Sequence, residues 1–440
     1  MNRFITFLRK TGTVRGLQIF QLLRFASLFS VGIFLSKSYL TVREIGCYES
    51  FIFISGAISF FWVSGLLNAL LSRYEQQRTG EKNSVLYNTS ILIYVLNTFL
   101  IVLMFVFKDL LQGLMTAESI KYYPLLVIYV FLNNPTFLIE YLLLLEKKPL
   151  TLAGYGFVTL VLNILAVAGP IYAGYDLTYS FYAMIGLAVL RNVYLYILIK
   201  QFSLSTLEPG NWGEQVLTAL PLIFSLLISG SADYIDGFLV STHFGSDAFA
   251  IFRYGAKEFP LSLLLASAMS TALVPQIASS GIKKENLLQL KKESAKLMHL
   301  LYPLSIFLIL TSKWFYPILF REEFISSAAI FNIYLLLIVS RLFFPQTIVM
   351  AMGKHDIIFK IAVLEIIVNV TSSYLLMQSY GIAGVAWGTV IAFAAEKILL
   401  FTYLNRWHGV RLRDFQQGNL WAIYSMLLII SYIITIKFIY

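Results

Sequence analysis

Windows of about 20 mostly apolar residues recur along almost the whole chain. A helix needs about 20 such residues to cross the hydrocarbon core of a bilayer, where only helices and closed barrels satisfy their own backbone. The windows predict thirteen spans, here numbered span 1 to span 13: 17–40, 48–71, 86–107, 122–145, 151–173, 179–199, 215–241, 249–274, 298–320, 326–351, 357–378, 382–405 and 420–436. We therefore expect an all-α polytopic membrane protein with 12 or 13 spans.

The residue content excludes several classes of protein. Only 13% of the residues are charged, whereas soluble domains carry about 25%. The single cysteine, Cys47, excludes an intramolecular disulfide and a cysteine-based metal cluster, and the four histidines lack the spacing of metal ligands. There is no Walker A loop for ATP hydrolysis and no loop long enough for a glycosyltransferase domain. We expect a protein that is not an enzyme and that has no cofactor and no firm metal site.

The basic residues are distributed unevenly between the two sets of loops. Twenty of the 33 lysines and arginines lie on the side of the N-terminus and seven on the other side. By the positive-inside rule, this imbalance predicts a cytoplasmic N-terminus. The net charge of +10 is then explained by topology, and we expect no nucleic-acid partner.

A weak internal repeat appears when the chain is compared with itself at a shift of about 205 residues. The basic loops after spans 2 and 4 fall on those after spans 8 and 10. Because six helices, an even number, separate the copies, both halves keep one orientation and are related by a pseudo-two-fold axis along the membrane normal. We predict an N-lobe (1–200, spans 1–6), a C-lobe (201–405, spans 7–12) and a cytoplasmic loop with an extra helix (406–440). A polar cleft is expected between the lobes.

Charged residues inside two neighbouring spans indicate transport. Span 7 contains Asp233 and Asp236, and span 8 contains Arg253, Lys257 and Glu258. A charge at membrane depth costs roughly 2.5–3.5 kcal/mol even on insertion scales, so these groups face water, a polar ligand or one another. A salt-bridge cluster between the two spans is the structural alternative to a functional site.

Four short motifs, in order, carry a resemblance to a known family. They are residues 40–48 after span 1, 65–70 at the end of span 2, 221–224 opening span 7 and 381–389 opening span 12. Over residues 10–405 the chain resembles the polysaccharide flippases (O-antigen transporters) of the multidrug/oligosaccharidyl-lipid/polysaccharide exporter superfamily. The resemblance implies a protein of the bacterial inner membrane. It would move an undecaprenyl-pyrophosphate-linked oligosaccharide to the periplasmic leaflet by alternating access of the lobes. Polysaccharide polymerase and other export proteins are expected partners.

A pyrophosphate in a low-dielectric cleft needs cations, and arginine can bind it with two parallel hydrogen bonds. The candidate substrate-binding residues are Arg24, Arg253, Lys257 and Arg341, whereas Arg191 is expected to reach toward the nearest interface. Coupling to H⁺ or Na⁺ needs a carboxylate whose occupancy differs between states. The candidates are Asp233, Asp236, Glu258 and Glu365, with Asn369 one turn beyond Glu365. Glu140 is a weaker candidate, and the Glu396–Lys397 pair is expected to be solvated.

Two prolines occupy equivalent places in the halves: Pro135 in span 4 and Pro345 in span 10. Proline frees a backbone carbonyl and kinks a helix. Each kink is either a hinge that bends during transport or a static feature fixed by packing.

Two functions of the same superfamily remain as alternatives. A multidrug antiporter is disfavoured because span 1 has Arg24 and no acidic residue, and a cation-rich cleft repels cationic drugs. A lipid II flippase is disfavoured because the membrane part of span 2 has no basic residue and a fourteenth helix is missing. The sequence does not reveal the glycan.

Overall fold

The computed structural model describes residues 13–76, 84–204, 206–256 and 260–439, and in these ranges the chain forms helices and no strand. The chain divides into two compact units. Unit 1 contains the described residues up to Gly230 together with Phe244–Asp247, and unit 2 contains Ser231–His243 and the described residues from Ala248 onward. The division falls within one continuous helix. The boundaries 1–200, 201–405 and 406–440 stay a prediction.

The α-helices are named in chain order. Those that begin in unit 1 are α1 (Thr13–Ser36), α2 (Val42–Ala57), α3 (Phe60–Gln76), α4 (Val85–Val106), α5 (Lys108–Gly113), α6 (Tyr123–Asn133), α7 (Leu138–Leu145), α8 (Pro149–Tyr172), α9 (Leu177–Phe202) and α10 (Trp212–His243). Those that follow are α11 (Ser246–Gly255), α12 (Pro260–Ser280), α13 (Lys284–Leu319), α14 (Ile325–Leu335), α15 (Ile338–Arg341), α16 (Pro345–Ala351), α17 (His355–His408), α18 (Leu412–Phe415) and α19 (Gly418–Ile434).

Ten helices in the described ranges are long and apolar enough to cross a membrane, or eleven when α2 and α3, bent by 44°, form one span. The 54-residue α17 contains a break at Gly381 and provides two spans. With this division, the described residues provide up to twelve candidate spans. Helix α10 contributes only a shorter apolar stretch, Trp212–Ile228. The all-α, polytopic fold predicted from the apolar windows is confirmed.

The motif at 40–48 starts α2 and holds another part of unit 1 against it. Thr41 and Glu44 form a capping box: the Glu44 backbone N–H donates to Thr41 Oγ1 at 3.2 Å, and the Thr41 N–H donates to Glu44 Oε2 at 2.8 Å. One turn further, the backbone of Ser246 lies so close to Gly46 that a Cβ there would stand 1.9 Å from the Ser246 carbonyl oxygen. Only glycine permits this approach.

The break at Pro135 in unit 1 is satisfied by asparagine side chains. Helix α6 ends at Asn133, a 3₁₀ turn covers Asn134–Phe137, and α7 follows. Since Pro135 has no N–H, the carbonyl of Phe131 loses its helical partner. Asn97 Nδ2 donates to that carbonyl at 2.7 Å. The carbonyl of Leu132, one residue on, accepts from Asn192 Nδ2 at 2.6 Å.

The break before Pro345 in unit 2 is satisfied from the C-terminal end of the chain. The N–H of Phe343 turns to the carbonyl of Ser340 at 3.3 Å, which leaves the carbonyl of Val339 without its helical donor. Trp421 Nε1, in α19, donates to Val339 O at 3.1 Å. Gln416 Nε2 donates to the carbonyl of Leu342 at 2.9 Å. Both predicted kinks are present, and these contacts favour the static interpretation over the hinge.

The glycines of the 381–389 motif bring the two halves of α17 together. Gly381 has φ 57° and ψ −140°, a conformation that favours glycine, and the chain changes direction there. A Cβ on Gly384 would lie 2.2 Å from the carbonyl oxygen of Leu376, and one on Gly388 would lie 2.0 Å from Ser373 Oγ. Small residues of this kind allow close helix packing in membranes. The second half of α17 is thereby held against the first.

We expect Asn97→Leu to destabilise the protein by about 1–3 kcal/mol, because it leaves the Phe131 carbonyl buried without a donor. Thr98→Val is the matched control, since the Thr98 hydroxyl is exposed and bonds only the Tyr94 carbonyl of its own helix. Thermal unfolding of both purified variants in detergent measures the difference. Equal midpoints for the two would contradict the role given to Asn97.

We expect Gly46→Ala to reduce folding yield and melting temperature sharply, since the new methyl group forces α2 away from Ser246. Gly154→Ala is the control, because the space around Gly154 is open and alanine favours a helix. Yield of monodisperse protein and thermal midpoint are measured for both. Normal behaviour of the Gly46 variant would show that the approach to Ser246 is dispensable.

Candidate functional site

Arg24, from α1, forms an ion pair with a carboxylate in the second half of span 4. Its Nη1 lies 3.4 Å from Glu140 Oε1, and its guanidinium lies 5.9 Å from the centre of the Phe137 ring. The Glu140 side chain is only 13% exposed, whereas that of Arg24 is 54% exposed. A buried acid thus holds one edge of the guanidinium, and the other edge remains accessible to an anion.

Arg191, from α9, lies in the same unit and is fixed by polar partners. Its Nε donates to the Tyr155 hydroxyl at 2.9 Å, and its Nη1 donates to Asn133 Oδ1 at 3.2 Å. The expectation that Arg191 reaches toward the interface is wrong. Because Asn133 ends the helix at the Pro135 break, the cation instead helps to fix that break.

In unit 2, a hydrogen-bonded network surrounds the carboxylate of Asp236. Asp236 lies in α10 and is 4% exposed. Its Oδ2 accepts hydrogen bonds from the hydroxyls of Tyr334, in α14, and Thr389, in the second half of α17. A buried carboxylate is tolerated where hydrogen bonds stabilise its charge.

The network continues to Asn369 in the first half of α17. Asn369 Nδ2 lies 3.5 Å from Thr389 Oγ1, and Ser373 Oγ donates to Asn369 Oδ1 at 3.0 Å. The Ser373 hydroxyl also lies 3.1 Å from the carbonyl oxygen of Val385. The glycine contacts within α17 hold these groups together. Asp236 and Asn369, both predicted as coupling residues from spans 7 and 11, therefore share one polar cluster.

The other residues predicted for spans 7 and 8 are described only in part. Arg253 lies near the C-terminal end of α11 and is partly buried. Lys257 and Glu258, and the side chain of Asp233, lie outside the described residues. The salt-bridge cluster between spans 7 and 8 stays a prediction.

Arg341 and Glu365 both lie in unit 2, with different surroundings. The Arg341 guanidinium stacks on the ring of Phe393, 4.5 Å from its centre, beside a cavity of about 10 Å³. This cavity has room for about one water molecule. Glu365 is partly buried, one helical turn before Asn369. The roles of Arg341 and Glu365 stay predictions.

The Glu396–Lys397 pair is buried, so the expectation that it is solvated is wrong. Lys397 Nζ lies 2.9 Å from Glu396 Oε2, and the two side chains are 9% and 10% exposed. Lys397 also donates to Gln346 Oε1 at 3.0 Å. The sequence places this pair near the end of span 12, and that position alone does not show that α16 packs over the two side chains.

Sequence reasoning missed three hydroxyls of the Asp236 network: Tyr334, Ser373 and Thr389. Thr389 directly follows the glycines of the 381–389 motif, and Ser373 lies one turn after Asn369, so helical spacing was an available signal. Tyr334 is one of 27 tyrosines, and no pattern distinguishes it. Among the described residues, no group of three or more histidine, cysteine, aspartate or glutamate side chains is arranged to bind a metal.

At the level of sequence, no family model and no curated protein matches this chain. Solved structures do match. One described as "Lipid II flippase MurJ, inward closed conformation" gives a TM-score of 0.71 at 16% identity, over 96% of this chain and 98% of that one.

Other matches are further transporters of the MOP superfamily. An inward-facing multidrug resistance MATE family transporter of the MOP superfamily gives a TM-score of 0.59 at 14% identity, over 89% of this chain and 97% of that one. A MOP superfamily transporter from Pyrococcus furiosus, described as having a binding pocket of reverse polarity, gives a TM-score of 0.56 at 14% identity. The match covers 90% of this chain and 96% of that one. The chain therefore has the fold of the transporters of the multidrug/oligosaccharidyl-lipid/polysaccharide exporter superfamily.

Proposed function

We propose that this protein is a flippase that moves a polyprenyl-pyrophosphate-linked oligosaccharide from the cytoplasmic to the outer leaflet, driven by an ion gradient. The fold supports a transporter that works by alternating access. A lipid-linked sugar is a substrate of the same chemical class as the one in the description of the MurJ structure. The bacterial inner membrane and a cytoplasmic N-terminus belong to this proposal.

The observation that carries the proposal is the arrangement of Arg24. Glu140 orients the guanidinium at 3.4 Å, and more than half of the arginine side chain stays exposed. A pyrophosphate approaching that edge finds a fixed, charged hydrogen-bond donor, which phosphate binding requires. Arg253, Lys257 and Arg341 are the proposed cations of the C-terminal half.

The network around Asp236 supports ion coupling. One carboxylate oxygen, three hydroxyls, an amide oxygen and a backbone carbonyl are grouped in α10, α14 and α17. Oxygen donors of these kinds suit Na⁺, and a carboxylate alone suits H⁺. We propose Asp236 and Asn369 as coupling residues, together with Asp233, Glu258 and Glu365. The cation is a driving ion and not a resident cofactor.

Two alternatives are each favoured by one observation. Lipid II itself is favoured by the TM-score of 0.71 with a lipid II flippase. Cation-coupled drug export is favoured by Glu140, a buried acid of unit 1 that contacts α1. Pairing with Arg24 leaves this site without a net negative charge for a cationic drug, so the anionic lipid is the better substrate.

The three candidate functions, flipping of a lipid-linked oligosaccharide, flipping of lipid II and drug export, are distinguished by extracting lipid-linked sugars from cells depleted of the protein. Sidedness is scored by enzyme access to the sugars in sealed vesicles. Accumulation of a complete repeat unit on cytoplasmic-leaflet lipid supports the proposal, and accumulation of lipid II transfers the assignment to that substrate. Unchanged lipid pools with raised sensitivity to cationic drugs would instead identify an antiporter.

We expect Arg24→Gln and Arg253→Gln each to abolish flipping while membrane insertion is retained, because each removes a cation proposed to bind the pyrophosphate. Flipping is measured in proteoliposomes by enzyme access to labelled lipid-linked sugar. Arg321→Gln is the control, since Arg321 pairs with Glu323 at 2.8 Å and is not one of the proposed substrate-binding residues. Full activity of both test variants would refute the pyrophosphate contacts.

We expect Asp236→Asn to abolish the dependence of flipping on an imposed Na⁺ or H⁺ gradient, since the amide keeps the shape of the side chain and loses its charge. The control is Asp356→Asn, because the Asp356 side chain is 63% exposed and lies 3.9 Å from Lys360. Flipping is compared with and without each gradient. An unchanged gradient response in the Asp236 variant would remove this residue from the coupling mechanism.

A further inference from the structure

An open cavity of about 730 Å³ lies between the start of α13, the short helix α18 and the start of α19. Its volume falls within the range of about 300–1,000 Å³ that is common for small-ligand sites. It lies entirely within unit 2, far along the sequence from Arg24 and separate from the Asp236 network. No group proposed to bind substrate or coupling ion lines it.

Three cations line this cavity: Lys291, Arg411 and Arg413. Lys291 Nζ donates to the Arg413 carbonyl at 2.7 Å, which ties α13 to α18. The nearby carboxylate of Asp414 is directed to the chain itself, because its Oδ2 accepts from the backbone N–H of Arg411 at 2.8 Å. The cavity therefore presents positive charge.

The first turn of α19 adds hydrogen-bond donors. Gly418, Asn419 and Leu420 line the cavity, and their amides belong to the first turn, where a helix offers no intrahelical acceptor. Gln417, at the N-cap, makes no side-chain capping bond. Free amides and the positive end of the helix dipole favour an anion here.

Gln416 forms part of the wall of the cavity. It lines the cavity and is 0% exposed. Its Nε2 donates to the Leu342 carbonyl at 2.9 Å, so this wall is tied to the break in span 10.

The cavity lies where the chain passes from water into lipid. The apolar span of α19 begins at Gly418, and α17 ends at His408. Trp407 is 67% exposed, as is common for aromatic residues at membrane interfaces. Leu412 and Leu420 supply apolar lining, so a ligand with an anionic head and acyl chains matches both parts.

We propose that this cavity binds the headgroup of an anionic phospholipid such as phosphatidylglycerol. Arg411, Arg413 and the α19 amides bind the phosphate, and the acyl chains follow α19.

The test measures lipid binding to the purified full chain in detergent by native mass spectrometry. The probes are dioleoyl phosphatidylglycerol, dioleoyl phosphatidylcholine and sodium phosphate. A basic residue near a membrane surface contributes about a fivefold effect on binding an anionic lipid. We therefore expect Arg411→Gln with Arg413→Gln to weaken phosphatidylglycerol binding by roughly 25-fold.

Arg406→Gln is the matched control, because Arg406 is exposed near the same end of α17 and does not line the cavity. It should bind phosphatidylglycerol as the unmodified protein does. If the double variant misfolds, as judged by its melting temperature, Arg411→Gln alone replaces it, with a roughly fivefold loss expected.

Three results would overturn the proposal. Equal affinity for phosphatidylcholine would show that charge is not recognised. Displacement of the lipid by millimolar sodium phosphate would indicate a site for free phosphate. Unchanged phosphatidylglycerol binding in the folded arginine variants would place any lipid elsewhere.

Discussion

A backbone carbonyl inside a bilayer must find a donor within the protein, and this requirement governs both proline breaks. At Pro135 the donors are Asn97 and Asn192, and in span 10 they are Trp421 and Gln416. Polar residues inside apolar spans thus have a first use that is unrelated to transport. Only the polar groups that remain after this requirement are candidates for function.

The remaining groups differ in chemistry between the two units. In unit 1 a guanidinium is paired with a buried acid, whereas in unit 2 a carboxylate is surrounded by hydroxyls. The first arrangement offers donors to an anion, and the second offers oxygens to a cation. The proposed flippase, which uses an ion gradient to move an anionic lipid, would need both kinds of site, and each kind is found in a different unit.

Much of the fold follows from sequence because membrane spans have a fixed length. The apolar windows, the two proline breaks and the boundary between spans 11 and 12 were readable, since each rests on local chemistry. Arg191 and Lys397 were misjudged because their partners, Asn133 and Gln346, are distant in sequence. Asp236 and Asn369 were found as polar residues at membrane depth. Their connection through Thr389 depends on close packing within α17, which no single-residue pattern reveals.

The donors for the break in span 10 have a consequence for biogenesis. Gln416 and Trp421 lie 74 and 82 residues after the carbonyls that they bind. When the ribosome has completed span 10, neither side chain has yet been synthesised. The Val339 and Leu342 carbonyls must therefore be covered temporarily, by water, lipid headgroups or the insertion machinery. Insertion of this helix and completion of its hydrogen bonds are consequently separate events, and the second waits until Gln416 and Trp421 have been synthesised.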